Sequence, residues 1–201
     1  MYSLTFTTAE GQQATVDQMY IRQNGEVTVS KASNVKTSYV DLGGTLTLNE
    51  GAALENTNVN MFIRGRAEKN ANGKAQLIVK DGARFNHSAT GPNALLVVGG
   101  VNGDGPATAS GLIYMTGEGS YFEAESVQLK DKTDATIGEI AFKIYDGATA
   151  VIRDTISELV NLTVIPARDS KWLCPPKKMS CPLYSTVASC LTALPFSSFF
   201  P

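Results

Sequence analysis

The sequence predicts an all-β fold of stacked repeats, a parallel β-solenoid made of short three-strand coils. Three observations support it. The 201 residues include 18 glycines but are only 8% aromatic and 18% charged, a composition typical of many short strands joined by tight turns. A strand–turn–strand pattern recurs along the chain, and an additional apolar segment follows each copy. A chain of this length is enough for one domain or a short repeat array with a continuous core.

The repeat contains a strand, a glycine-centred turn and a second short strand. Its four copies are residues 44–55, 75–85, 111–122 and 140–151, and a weaker copy at 25–32 precedes them. The turns contain Gly51, Gly82, Gly119 and Gly147, and Asp81 and Asp146 directly precede two of these glycines. Because Gly, and to a lesser degree Asp, adopt positive φ at low cost, we predict a tight corner in each copy.

The strand before each turn has apolar residues at period two. Leu46 and Leu48 alternate with polar residues, as do Phe142 and Ile144, which predicts strands with one buried face. The uninterrupted apolar run at 77–79 predicts instead a strand covered on both faces.

A third apolar segment follows the second strand of each copy. These segments are residues 59–63, 94–98, 126–129 and 159–164, with 39–42 as the early copy. Three short strands cannot bury their own apolar face, whereas stacked copies can, each strand pairing with its counterpart one coil along at ~4.8 Å. A β-sandwich of hairpins uses the same turns and strand lengths, but the repeated three-part order favours the solenoid.

The composition changes near residue 165 and indicates two parts of the chain. All glycines lie at or before Gly147, whereas the three cysteines, the only Trp and six of eight prolines lie at or after Pro166. We therefore predict a β-solenoid repeat domain at 1–165 and an atypical Pro- and Cys-containing tail at 166–201. The tail is interpreted as a cap on the solenoid, a stretch translated in a shifted reading frame, or a disordered segment.

Charge and residue inventory exclude several functional classes. A net charge of −2 disfavours a nucleic-acid partner. The single histidine, His87, has no second histidine for a metal site and is expected at the surface. The run 99–105 resembles a calcium-binding glycine–aspartate repeat but occurs once, so a structural turn is favoured. We predict no metal and no cofactor, and no membrane insertion by this chain, which contains neither a signal peptide nor a run of ~18 apolar residues.

The repeat order G-x-L-x-L/V-x-x-G-A-x-F/V, followed by a polar stretch and L-x-V-G-G, resembles autotransporter-type passenger domains. Residues 44–54, 75–100 and 111–129 carry this likeness to autotransporter-associated Gly-rich β-helix repeats, which covers about 25–165. The resemblance implies a right-handed parallel β-helix in a bacterial protein at the cell surface or secreted. It also implies that the chain is a fragment, with additional β-helix coils in a longer parent chain.

The connections between coils are the predicted binding edge. Insertions at 64–73, 99–110 and 130–138 follow the third segments and project from one corner of the solenoid, where repeat proteins commonly bind partners. We expect a glycan, host or cell-surface ligand there. The candidate contact residues are Arg64, Arg66, Lys69, Asn70, Asn72, Asn102, Asp104 and Asp131. The alternative is that these are solvated loops without a partner, since loop insertion costs little.

Three functions remain open. The favoured one is a noncatalytic, adhesin- or passenger-like surface or secreted module that presents loops. A carbohydrate-active β-helix enzyme, a polysaccharide lyase or glycoside hydrolase, is the second, and a structural fragment without independent activity is the third. Glycoside cleavage needs two carboxylates at a defined separation, and no pair is selected among Glu118, Glu123, Glu125, Asp131, Asp134 and Glu139. No catalytic residue is therefore predicted.

Overall fold

The computed structural model describes residues 2–65, 75–99, 110–129, 140–157, 162–164 and 171–173. These residues form β-strands and no helix, which confirms the all-β class. The strands are β1 Tyr2–Phe6, β2 Gln13–Ile21, β3 Gly25–Val29, β4 Asn34–Leu42, β5 Thr45–Leu48, β6 Ala53–Asn56, β7 Asn60–Ile63, β8 Gln76–Lys80, β9 Arg84–His87, β10 Leu95–Val98, β11 Gly111–Thr116, β12 Tyr121–Leu129, β13 Ile140–Ile144, β14 Thr149–Ser157, β15 Leu162–Val164 and β16 Lys171–Leu173. Within these ranges no helix has the length and hydrophobicity needed to cross a membrane.

The strands form two sheets in which every pairing is parallel. The first sheet has the order β1-β3-β5-β8-β11-β13-β15. In the second sheet, β4 pairs with β2 on one side and with both β6 and β7 on the other. β6 pairs with β9 and β7 with β10, and both β9 and β10 pair with β12. β12 then pairs with β14, and β14 with β16. Each strand thus pairs with the equivalent strand of the next repeat, as the stacked arrangement predicts and a sandwich of hairpins does not.

The described strands fall into seven repeat units, each with one strand in the first sheet. Unit 1 contains β1 and β2, unit 2 β3 and β4, unit 3 β5–β7, unit 4 β8–β10, unit 5 β11 and β12, unit 6 β13 and β14, and unit 7 β15 and β16. The predicted second and third strands are separate only in units 3 and 4; in units 1, 2, 5 and 6 they merge into one nine-residue strand. Local irregularities mark the junction, including a register shift between Ala124 and Ser126.

The core lies between the two sheets and consists of in-register columns of apolar side chains. The first sheet contributes the columns Val27, Leu46, Leu77, Ile113, Phe142 and Val29, Leu48, Val79, Met115, Ile144, all buried. The predicted inward alternation is confirmed. The prediction that residues 77–79 are covered on both faces is wrong, because Ile78 points outward and is only half-buried. Its β-branched side chain is well suited to the outer surface of a sheet.

The predicted corners are confirmed by the backbone. Gly82 and Gly147 have φ of 78° and 80°, and the preceding Asp81 and Asp146 have φ of 55° and 51°. Two successive residues at positive φ reverse the chain between the first and second strands of a unit in the space of a tight turn. The turn sequence therefore sets where each unit bends.

The ends of the stack differ from the prediction. Unit 1, over residues 2–21, precedes the weak copy at which the repeat was expected to begin. The segment 159–164 was predicted as a third strand, but its residues 162–164 pair with Phe142–Ile144 and therefore form the first strand of the following unit. Residues 171–173 pair with Thr149–Val151 as its second strand. The domain boundary at 165 stays a prediction.

Candidate functional site

The outer face of the third segments forms two adjacent rows of side chains that run along the stack. We call these rows the outer track. The first row is Gln18, Tyr39, Asn60, Leu95, Ser126 and Thr155, and the second is Tyr20, Asp41, Phe62, Val97 and Gln128. Five strand spacings separate unit 1 from unit 6, so the track is about 24 Å long at ~4.8 Å a spacing.

Aromatic rings and arginines occupy the unit 1 end of the track. Tyr20 is 50% exposed and its ring centroid lies 5.4 Å from that of Tyr39. The Arg22 guanidinium lies 5.6 Å from the centre of the Tyr20 ring, within the range of a cation–π contact. The Tyr20 hydroxyl donates to Gln18 Oε1 at 3.1 Å. This end therefore presents an apolar ring face beside a positive charge.

Arg64 is the one predicted binding residue within the described ranges, and it lies beside the track, against Phe62. Its guanidinium carbon is 4.0 Å from the centre of the Phe62 ring, and its Nε and Nη2 donate to the two carboxylate oxygens of Asp41 at 3.4 Å. Burial and the Asp41 charge raise the pKa of Tyr39 from its ordinary value. At the start of the first predicted loop, the Arg64 guanidinium is thus paired with Asp41 and lies over the Phe62 ring.

The other predicted binding residues lie outside the described residues. They are Arg66, Lys69, Asn70, Asn72, Asn102, Asp104 and Asp131. The expectation that they meet at one edge therefore stays a prediction. Arg64 shows only where the first of the loops begins, which is beside the outer track.

A groove of ≈ 670 Å³ continues the track across units 3 to 6. Its lining combines apolar side chains with amides, hydroxyls and one carboxylate: Val59, Asn60, Pro92, Asn93, Leu95, Ser126, Val127, Asp154 and Thr155. Val59 is 47% exposed at its rim. Among the described residues no lysine or arginine lines the groove, and its polar groups can exchange hydrogen bonds with an uncharged, hydroxyl-rich ligand.

Two of the six carboxylates considered for catalysis meet on one arginine. Arg153 donates from Nη1 to Glu123 Oε1 and from Nε to Glu125 Oε2, both at 2.9 Å. The register shift in β12 and β14 places two residues of β14 opposite Glu125, which brings Arg153 beside it. The Tyr121 hydroxyl also donates to Glu123, at 3.0 Å. Within the described residues these carboxylates are therefore paired and hydrogen-bonded.

His87 is buried, and the prediction that it lies at the surface is wrong. It follows the inward Phe85 by two residues, so alternation directs it into the core, in register with Asn56 and Thr37. Its Nε2 donates to the Asn58 carbonyl at 2.7 Å, and its Nδ1 has no partner. Burial lowers the pKa of His87 below its ordinary value, so the ring is neutral and structural.

The sequence reasoning missed the aromatic members of the track. Tyr20 lies between the buried Met19 and Ile21, so period-two alternation identifies it as outward-facing. Tyr39 precedes the buried Val40 but follows the half-buried Ser38, where the alternation of β4 is interrupted. Among the described residues no group of three or more His, Cys, Asp or Glu side chains is arranged to bind a metal ion.

Comparisons with protein-family models, curated proteins and solved structures find no match to the chain. The functional argument therefore depends on the fold and on this geometry.

Proposed function

We propose that the chain is a noncatalytic β-solenoid module, adhesin- or passenger-like, whose outer face contacts a glycan or a cell surface. The proposed architecture is a right-handed parallel β-helix in which each long strand of the second sheet counts as two segments. In-register parallel pairing of successive units supports the solenoid. The hand, the surface or secreted location and the further coils of a longer parent chain are proposed from the resemblance of the repeats.

The observation that carries the binding function is the outer track itself. The polar outer face of a solenoid does not need an exposed aromatic ring for stability. Tyr20 is nevertheless half exposed beside Arg22. It lies in line with a groove of mixed amides, hydroxyls and apolar groups. Protein sites for small ligands and sugars combine apolar surface with a few oriented polar groups in this way. A linear track along the stack suits a linear ligand.

The paired state of the two glutamates supports a noncatalytic role. A glycosidase needs one carboxyl group as a proton donor and one as a base or nucleophile. Glu123 and Glu125 both accept hydrogen bonds from Arg153, and Glu123 accepts another from the Tyr121 hydroxyl. Both carboxylates are therefore held in contacts within the protein, which supports a structural role for them.

Binding of the purified full chain to a polysaccharide and glycan array tests the proposal. We expect binding that Tyr20→Ala weakens and that Tyr114→Ala does not, since Tyr114 is an outward tyrosine on the other sheet. A second variant lacking 66–72 and 101–109 tests the predicted loop edge separately. Absence of binding to every glycan and cell surface offered would refute the proposed function, and release of reducing sugar or unsaturated product would favour the enzyme alternative.

A further inference from the structure

We infer that the unit 1 end of the outer track binds the carboxylate of an acidic glycan, a chain containing uronate residues, with Arg22 as the anion-binding group. The inference rests on the proposed function and names its ligand class. Arg22, Tyr20 and Tyr39 form the proposed acid-sugar subsite. The groove farther along the track holds the uncharged parts of the same polymer.

The pairing and the position of the arginines along the second sheet together single out Arg22. Arg84 is also exposed and forms no ion pair with a described carboxylate, but it lies at the start of β9, away from the outer track. Arg64 is paired with Asp41, and Arg153 with Glu123 and Glu125. Arg22 is exposed, and within the described part of the chain it forms no ion pair with a carboxylate. Its planar fork of N–H donors matches the two oxygens of a carboxylate, a geometry that a point charge such as lysine does not offer.

The charges near this end balance. Arg22 and Arg64 contribute two positive charges, and Asp41 and Asp17 contribute two negative charges. Asp41 is paired with Arg64, and Asp17 accepts a hydrogen bond from Ser38. A ligand carboxylate therefore gains from direct contact with the Arg22 guanidinium rather than from a broad positive surface.

The Tyr20 ring favours a sugar acid over a free inorganic anion. It is 50% exposed and its centre lies 5.6 Å from the Arg22 guanidinium, so a ligand held by Arg22 can also contact the exposed part of the ring. A pyranose ring has such a face, made of C–H groups, and hydroxyls at its rim that the Tyr20 hydroxyl and Gln18 amide can bind. A free inorganic anion uses none of these groups.

The same rows continue from this subsite into the groove. Gln18 is in register with Tyr39, and Asn60, Leu95, Ser126 and Thr155 follow in the later units. The strands present these positions at ~4.8 Å intervals, a spacing comparable to the length of one sugar residue. An extended glycan along the stack thus meets a polar side chain of the first row in units 1 to 3, 5 and 6, and Leu95 in unit 4.

Binding of the full chain to a xylo-oligosaccharide that carries one glucuronate residue, measured by isothermal titration calorimetry, tests the inference. The comparison ligand is the same oligosaccharide with its carboxylate methyl-esterified, which keeps the ring and removes the charge. The key variant is Arg22→Gln. Its matched control is Arg84→Gln, because Arg84 is likewise exposed and lies 5.1 Å from the centre of the Tyr121 ring, away from the track.

We expect Arg22→Gln to weaken binding of the glucuronate-bearing oligosaccharide by about tenfold, the scale of a hydrogen bond to a charged group. Arg84→Gln is expected to leave affinity unchanged, and the esterified ligand to bind the parent and the Arg22→Gln variant equally. Increased salt should weaken binding of the acid form only. Equal affinity for both ligand forms, or equal loss in both arginine variants, would overturn the inference. Binding of neutral glycans alone would overturn it while leaving the proposed function standing.

Discussion

Replacing Phe122 tests whether the stacked core holds the repeat units together. Phe122 is fully buried in unit 5, and its ring centroid lies 5.2 Å from that of Phe85 in unit 4 and 5.0 Å from that of Phe142 in unit 6. The first ring is stacked and the second lies edge-on, both within the range of favourable aromatic pairs. Phe122→Ala therefore removes contacts between three successive units at once.

The expected loss of stability is large relative to that of a domain. Truncation of a buried Phe to Ala costs about 3–5 kcal/mol, and two aromatic pairs place Phe122 at the upper end, near about 4–5 kcal/mol. Domains of this size have a free energy of unfolding of about 5–15 kcal/mol. Phe122→Leu keeps most of the volume and is expected to cost less than about 1.5 kcal/mol.

Urea unfolding followed by far-ultraviolet circular dichroism measures these differences, with Tyr114→Ala as the control. Tyr114 also contacts a ring, that of Tyr145 at 5.3 Å, but on the outer face of the first sheet. We expect it to cost about 1 kcal/mol or less. Amide hydrogen exchange should show the Phe122→Ala effect first in units 4 to 6, because each unit contacts only its neighbours. Equal losses in the two alanine variants would refute the assignment of the core.

Three further predictions concern pH, turns and strand facing. The lowered pKa of His87, caused by burial and opposed by the hydrogen bond to Asn58 O, means that the unfolded chain binds the proton more tightly. The stabilising contribution of His87 should therefore be complete above about pH 6.5 and decrease as the pH falls below that value. The midpoint of urea unfolding should depend less on pH between 7.5 and 5.5 in the His87→Leu variant than in the parent. The same pH dependence in both proteins would contradict the burial argument. Gly82→Ala should lower the free energy of unfolding by about 1–2 kcal/mol, because Gly82 has φ of 78° and an added Cβ would make only ordinary van der Waals contact. Asparagine tolerates this φ, so Gly82→Asn should lower it less in the same assay. Equal losses in the two variants would show that φ is not the cause. Leu48→Asp places an unpaired charge in the core and should abolish the cooperative transition, while Thr47→Asp, one residue away on the outer face, should leave it in place; loss of folding in both would mean that the facing is wrong.

Local pattern predicted much of the fold because two rules act within a few residues. Alternation decides which side chains are buried, so Leu46, Leu48, Phe142 and Ile144 were correctly directed inward. The Asp-Gly turns were predicted because few residues adopt positive φ. The same alternation also indicates that His87 is buried. The prediction placed it at the surface because histidine is polar, and in this the prediction was wrong.

The two ends of the stack were missed for different reasons. Whether residues 162–164 act as a third or a first strand depends on which earlier strand they pair with, and they pair with Phe142–Ile144, about twenty residues away. Residues 2–21 contain the corner of the later units, since Gly11 follows Glu10 as Gly51 follows Glu50 and has φ of 71°. The prediction overlooked this copy, and the pairing with β3 and β4 shows that it is unit 1. Pairing between units is a long-range choice that short motifs do not encode.

The sequence by itself determined the all-β class, the period of the units, their corners and the inward columns, because each of these follows from the preferences of neighbouring residues. The tertiary structure alone decided what the outer surface brings together. Tyr20 and Tyr39 are nineteen residues apart, and Arg153 lies about thirty residues from the glutamates that it pairs. Parallel stacking places residues one unit apart in the chain within ~5 Å in space, so the outer track exists only after every unit has found its register.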